Sequence, residues 1–160
     1  MMMSLSINRT KVKLYVISVL IPLIPGAIIG VLTSGAMNYG DLQQPPLAPP
    51  AALFPVVWTI LYILMGVSHG ILKSYDLNDS GTETVFYAQL VVNLLWPVFF
   101  FVLKWRLFAF VWIILLDILV ITMAVRFYRK NKAAGLLQIP YVIWVLFASY
   151  LNLALFLLNR

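Results

Sequence analysis

Five apolar stretches divide the chain, at residues 14–34, 53–72, 84–103, 107–126 and 133–158, with charge confined almost wholly to the segments between them. Each reaches the ~20 residues that cross a ~30 Å hydrocarbon core at ~1.5 Å per residue. A membrane barrel would instead show alternating segments of about ten residues, and in lipid every backbone group must be satisfied within its own segment. The pattern therefore predicts an all-α integral membrane protein, a bundle of five transmembrane helices, and excludes a soluble catalytic domain. The first stretch is long and lacks a small-residue cleavage pattern after it, so it reads as a retained span. The longest connection, 33–52, is rich in proline and too short for a second domain, which leaves one five-helix membrane domain over residues 1–160.

Composition agrees: 63% of residues are hydrophobic and only 10% charged, against about 25% charged in soluble domains. The net charge of +6 does not point to nucleic acid, because the basic residues sit at helix ends rather than on a patch among aromatics. Assigning the connections alternately to two sides puts Arg9, Lys11, Lys13, Lys73, Arg126, Arg129, Lys130 and Lys132 together, and Lys104, Arg106 and Arg160 opposite. By the positive-inside rule the N-terminus is cytoplasmic, and the proline-rich first loop and the C-terminus face outward. With no cysteine and a single histidine, His69, there is no basis for a disulfide, thiolate chemistry or a metal site, and no cofactor is expected. His69 lies at the depth of Lys73 and reads as a wetted interfacial residue.

The informative residues are the polar and aromatic ones within the spans. Phe54, Trp58, Tyr62, Met65 and His69 recur at spacings of three and four and share one helix face; so do Gln89, Asn93, Trp96 and Phe100, and Tyr141, Trp144, Ala148 and Asn152. Unpaired amides are costly in lipid, so Gln89, Asn93 and Asn152 should face the bundle interior, either as glue between helices or as the orienting groups of an aromatic-walled pocket for a planar ligand. Asp117, near the middle of the fourth span, should be neutral, paired or beside water. It is a candidate proton or polar site, or else a structural carboxyl bonded to Gln89, Asn93 or Thr122. Gly26 and Gly30 form a G-x-x-x-G pair that suits close helix contact within the bundle.

Three segments carry a family resemblance: P-P-A-A-L-F-P-V-V-W-T-I-L-Y-I-L-M-G-V-S (Pro49 to Ser68), Q-L-V-V-N-L-L-W-P-V-F-F (Gln89 to Phe100) and I-P-Y-V-I-W-V-L-F-A-S-Y-L-N (Ile139 to Asn152). In that order they resemble the TspO/MBR family, the tryptophan-rich sensory proteins related to the mitochondrial translocator or peripheral benzodiazepine receptor. The resemblance implies a multi-pass protein of the bilayer, here of a bacterial cell membrane, commonly a homodimer, that binds a hydrophobic planar ligand such as a porphyrin or other tetrapyrrole in a pocket under the first loop. By the matching motifs the pocket residues are Trp58 and Tyr62 from the second helix, Asn93 and Trp96 from the third, and Trp144, Phe147 and Ala148 from the fifth. The family's two tryptophans flanking the Pro-Pro pair are replaced here by Leu47 and Ala52, and its fourth-helix pattern by Trp112 and Asp117.

Three functions follow: a membrane binding or sensory protein for a porphyrin-like ligand; a proton-coupled small-molecule transporter using Asp117; and an enzyme that degrades porphyrin under light through pocket tryptophans such as Trp58 and Trp144. No nucleophile, base and orienting group occur together, so enzymatic turnover has the least support from the residues.

Overall fold

The computed structural model describes residues 9–160. Helix α1 runs Arg9–Ser34, α2 Leu53–Ser74, α3 Ser80–Pro97, α4 Arg106–Lys130, α5 Lys132–Leu136 and α6 Ile139–Leu158; no strand occurs among the described residues. Five segments are long and apolar enough to cross a membrane, the third being α3 with its extension to Val102 and the fifth α5 plus α6. The helices outrun the charge-free stretches at the basic end. There Asp79 caps α3, its side chain accepting from the Thr82 amide at 2.7 Å, so the helix begins before Glu83.

Prolines account for two irregularities. Pro97 has no amide to donate to Asn93, and beyond it the ladder slips to a π turn over Val98–Val102, with Leu103 donating to the Val98 carbonyl at 2.9 Å. The last span, read from sequence as continuous over 133–158, is instead broken at Leu137 and Gln138. Pro140 cannot donate to Leu136, so α5 ends there and α6 starts afresh with Pro140 in its first turn.

Helix α1 lies against α2 and α3, α4 against α3 and α6, and α2 also meets α5 and α6. Leu61, Met65, Phe86, Ile113, Val120 and Phe127 form part of the shared interior. Val16, Ile24 and Val31 of α1, Val111 and Ile118 of α4, and Ile143 of α6 are exposed, as lipid-facing surfaces should be. The α1–α2 crossing is close because Gly66 sits against the Val19 backbone and Gly70 against the Tyr15 ring. Of the Gly26 and Gly30 pair in α1, Gly26 does pack on the Tyr62 ring, whereas Gly30 meets no described residue outside its own helical turn within 4 Å. Sequence reading thus chose the lesser pair: Gly66 and Gly70 also form G-x-x-x-G, and theirs is the backbone contact.

The helix alternation gathers eight described basic residues, from Arg9 to Lys132, at one end, and leaves Lys104, Arg106 and Arg160 at the other. At the first end Lys130 pairs with Asp79 at 2.5 Å. That ammonium, with the Thr82 bonds, holds the Asp79 carboxyl well below the usual carboxylate range.

Candidate functional site

The first loop closes the less basic end of the bundle. A 3-10 turn at Tyr39–Asp41 turns the Tyr39 ring inward, where it is 6% exposed and meets Phe54 edge-on at 5.2 Å. Burial pushes the Tyr39 hydroxyl above the usual tyrosine pKa. Three further hydrogen bonds hold the loop down. The Gln43 amide donates to Asn159 Oδ1 at 2.9 Å, Asn159 Nδ2 donates back to the Gln43 carbonyl at 3.1 Å, and the Tyr150 hydroxyl donates to the Pro46 carbonyl at 2.9 Å.

Beneath the loop the α2 and α6 stripes face each other. Phe54 meets Trp144 at 5.9 Å and 68°, Trp144 meets Phe147 at 5.7 Å, and Trp58 meets both Tyr62 at 5.6 Å and Tyr141 at 6.1 Å. Edge-on and tilted pairs of this kind leave ring faces at differing angles rather than a finished slot. Trp96 stands on the α3 side, stacked on Phe100 at 5.2 Å, with its indole donating to Asn152 Oδ1 at 2.9 Å. A cleft of about 200 Å³ opens beside this cage, lined in part by Asp41, Phe100 and Phe101. That is below the ~300 Å³ at which small-molecule pockets begin.

Two of the buried amides, Gln89 and Asn93, are joined in one hydrogen-bonded chain, whereas Gln138 is buried with neither side-chain atom partnered among the described residues. The Tyr62 hydroxyl donates to Asn93 Oδ1 at 2.7 Å, Asn93 Nδ2 donates to the Tyr141 hydroxyl at 2.9 Å, Tyr141 donates to Gln89 Oε1 at 2.8 Å, and Gln89 Nε2 reaches Met65 Sδ at 3.2 Å. Tyr62 and Asn93, which the family motifs imply for the pocket, join α2, α3 and α6 through Tyr141. The Trp144 indole nitrogen and the Tyr39 hydroxyl, by contrast, are buried without a hydrogen-bond partner among the described residues. An orphaned buried donor is costly, and these two flank Phe54 directly under the loop. Tyr39 escaped sequence reading because a single aromatic in a loop has no periodicity to mark it.

The TspO/MBR family model matches residues 18–158, nearly the whole chain. The chain belongs to the TspO/MBR family. It is 43% identical over 122 residues to a tryptophan-rich protein TspO of Archaeoglobus fulgidus, covering 76% of this chain and 79% of that one. It is 37% identical over 139 residues to protein CrtK of Rhodobacter capsulatus (84% and 85%), and 29% identical over 136 residues to the translocator protein of Ovis aries (80% of each). It is thus an integral, multi-pass membrane protein of a family whose named members are sensory and translocator proteins.

In this TspO/MBR chain Asp117 is paired, as its reading allows, though with a partner that reading does not name, and His69 departs from its reading. Asp117 is 7% exposed, and its partner is Ser149, whose hydroxyl donates to Oδ2 at 2.7 Å, while Oδ1 has none among the described residues. The partners expected for it are otherwise engaged: Gln89 and Asn93 with Tyr141, and Thr122 with the Ile118 carbonyl at 2.7 Å. Ser149 lies two turns beyond Tyr141 on the same face of α6, which is the signal that could have found it. His69 is not wetted. It is fully buried, stacked on Phe86 at 4.0 Å and 2.9 Å from Glu83, which Lys73 approaches at 3.7 Å. The early start of α3 puts the half-buried Glu83 in its first turn, beside His69, and so supplies the partner. No three metal-ligating side chains come together among the described residues.

Proposed function

We propose that this TspO/MBR protein binds a planar, porphyrin-like ligand in the cage formed by Trp58, Trp144 and Phe147, with Trp96 and Ala148 at its margins, and that the first loop lifts to admit it. Tyr62 and Asn93 hold the walls in place through Tyr141 rather than reach for the ligand. The positive-inside rule puts the basic end in the cytoplasm, so the cage opens on the outer side. The observation that carries the reading is the row of rings from Tyr39 through Phe54 to Trp144, with an unpartnered indole and hydroxyl inside it. Aromatic faces supply stacking area, and the two free polar groups suit the few orienting contacts that small-molecule sites use.

The test is a dark titration of the detergent-purified chain with protoporphyrin, followed by tryptophan quenching. Trp144→Ala removes a stacking wall and the free indole donor, and should weaken binding by about tenfold or more. Trp105→Ala should leave affinity within about twofold, since Trp105 is 56% exposed and stacks with Phe99 at 6.4 Å as a surface anchor. Equal affinities for wild type and Trp144→Ala would remove the cage from the account.

A further inference from the structure

Between α3 and α4 the chain leaves ordinary helical geometry twice in succession. The π turn over Val98–Val102 is followed by Lys104 with φ of 56°, the left-handed region that side-chain-bearing residues rarely adopt. Both are features that cluster at working sites, because the local fold must be held against its preference. Here they deliver two cations, Lys104 and Arg106, to the cleft of about 200 Å³ beneath the first loop. Phe100 and Phe101 supply its apolar lining and Asp41 its acidic residue, leaving a single net positive charge.

Neither cation is paired with a carboxylate among the described residues. Lys104 makes no hydrogen bond there either, and Arg106 reaches only the Asn159 carbonyl, at 3.4 Å through Nη1, while its buried Nε has no partner. A guanidinium nitrogen taken out of water and left unbonded suits an incoming carboxylate, which accepts such donors with charge assistance. The cleft is also joined to the cage. Trp96 stacks on Phe100 and meets Phe101 edge-on at 5.8 Å, and Asn152, which accepts from Trp96, donates to the Arg106 carbonyl at 3.0 Å.

We infer that Lys104 and Arg106 read a carboxylate arm of the planar ligand, the ring occupying the aromatic cage and the acid group the adjoining cleft. The inference rests on the ring-binding reading proposed above and adds to it that the ligand is an acid. Its specificity comes from a charged rim beside an apolar wall, so that ring and arm are sensed by different residues.

Protoporphyrin, a dicarboxylic acid, and its dimethyl ester separate the two ideas. Both are titrated in the dark against the full chain in detergent, for wild type, Lys104→Gln and Lys104→Gln/Arg106→Gln, with the thermal unfolding midpoint of each recorded. Wild type should prefer the acid by roughly tenfold, the scale of one charge-assisted hydrogen bond. That preference should fall in Lys104→Gln and approach unity in the double variant. The single variant keeps the Arg106–Asn159 bond and so remains informative should the double variant unfold. An acid-to-ester ratio that is the same in wild type and Lys104→Gln overturns the inference while leaving ring binding intact. Failure of both compounds to bind overturns ring binding and this inference with it.

Discussion

Gly66→Val should destabilise the bundle by about 3 kcal/mol, the upper end of what overpacking costs, because the obstruction is backbone rather than a side chain that can turn aside. A Cβ at Gly66 would lie against Val19 Cα and 2.6 Å from the Ser18 carbonyl oxygen. In lipid no hydrophobic force pulls α1 back once that fit is lost, since lipid tails are as apolar as the helix surface, and packing itself holds the helices together. Helix α1 is also the least buried of the five spans, with 17% of its most apolar window inside the molecule. Its main packing partner is α2, across this crossing. Gly70→Val should cost less, because the nearest atom is Cδ1 of the Tyr15 ring at 2.7 Å, which can swing away. Gly30→Val should cost nothing measurable, there being no described atom beyond its own helical turn within 4 Å. Unfolding midpoints in detergent for the three variants check the order, and a Gly66→Val protein as stable as Gly30→Val would contradict it.

Tyr141→Phe should cost about 2 kcal/mol for the loss of one oxygen atom, because that oxygen serves two partners. It donates to Gln89 and accepts from Asn93, so its removal orphans an acceptor and a donor among buried side chains, at about 1–3 kcal/mol for each group left unsatisfied. Interhelical hydrogen bonds in membranes average only about 0.6 kcal/mol when one is deleted, since the loosened state finds other partners. A buried hydroxyl that bridges two amides should exceed that average. The same substitution loosens Asn93 and, through it, Tyr62, and so frees the walls beside Trp58. The free energy of unfolding measures the effect, and a change below about 0.5 kcal/mol would mean that these bonds are not what fixes α2, α3 and α6 together.

Much of this molecule is legible in its sequence because lipid imposes a single rule, that backbone polar groups bond within their own helix. The five spans follow from it, as does the burial of Gln89, Asn93 and Asn152. What escapes is contact between elements whose relative heights the pattern does not state. Glu83 was outside the third stretch by charge, yet an Asp79 cap starts α3 four residues earlier and brings Glu83 to His69. Asp117 is unusual on sequence alone, but its bond to Ser149 depends on the register of α6 against α4, which periodicity does not state. The ring stripes were visible one helix at a time. That Trp96 binds Asn152 while Trp144 turns to Phe54 depends on how the helices are rotated, which periodicity alone does not fix. Tyr39 and the left-handed Lys104 belong to irregular segments and had no pattern to betray them.

A planar ligand that reaches the cage only when the first loop lifts should be shut out when that loop cannot move. Fastening the loop tests this most directly. The chain has no cysteine, so Gln43→Cys and Asn159→Cys introduce the only two thiols, at positions already joined by two hydrogen bonds across the closure. Protoporphyrin affinity is measured before and after a short bis-maleimide bridges them. The account predicts that the open double variant binds at least as well as wild type, and that bridging reduces binding by tenfold or more, about 1.4 kcal/mol. Unchanged binding by the bridged protein would contradict it, and would place the ligand somewhere the first loop does not cover.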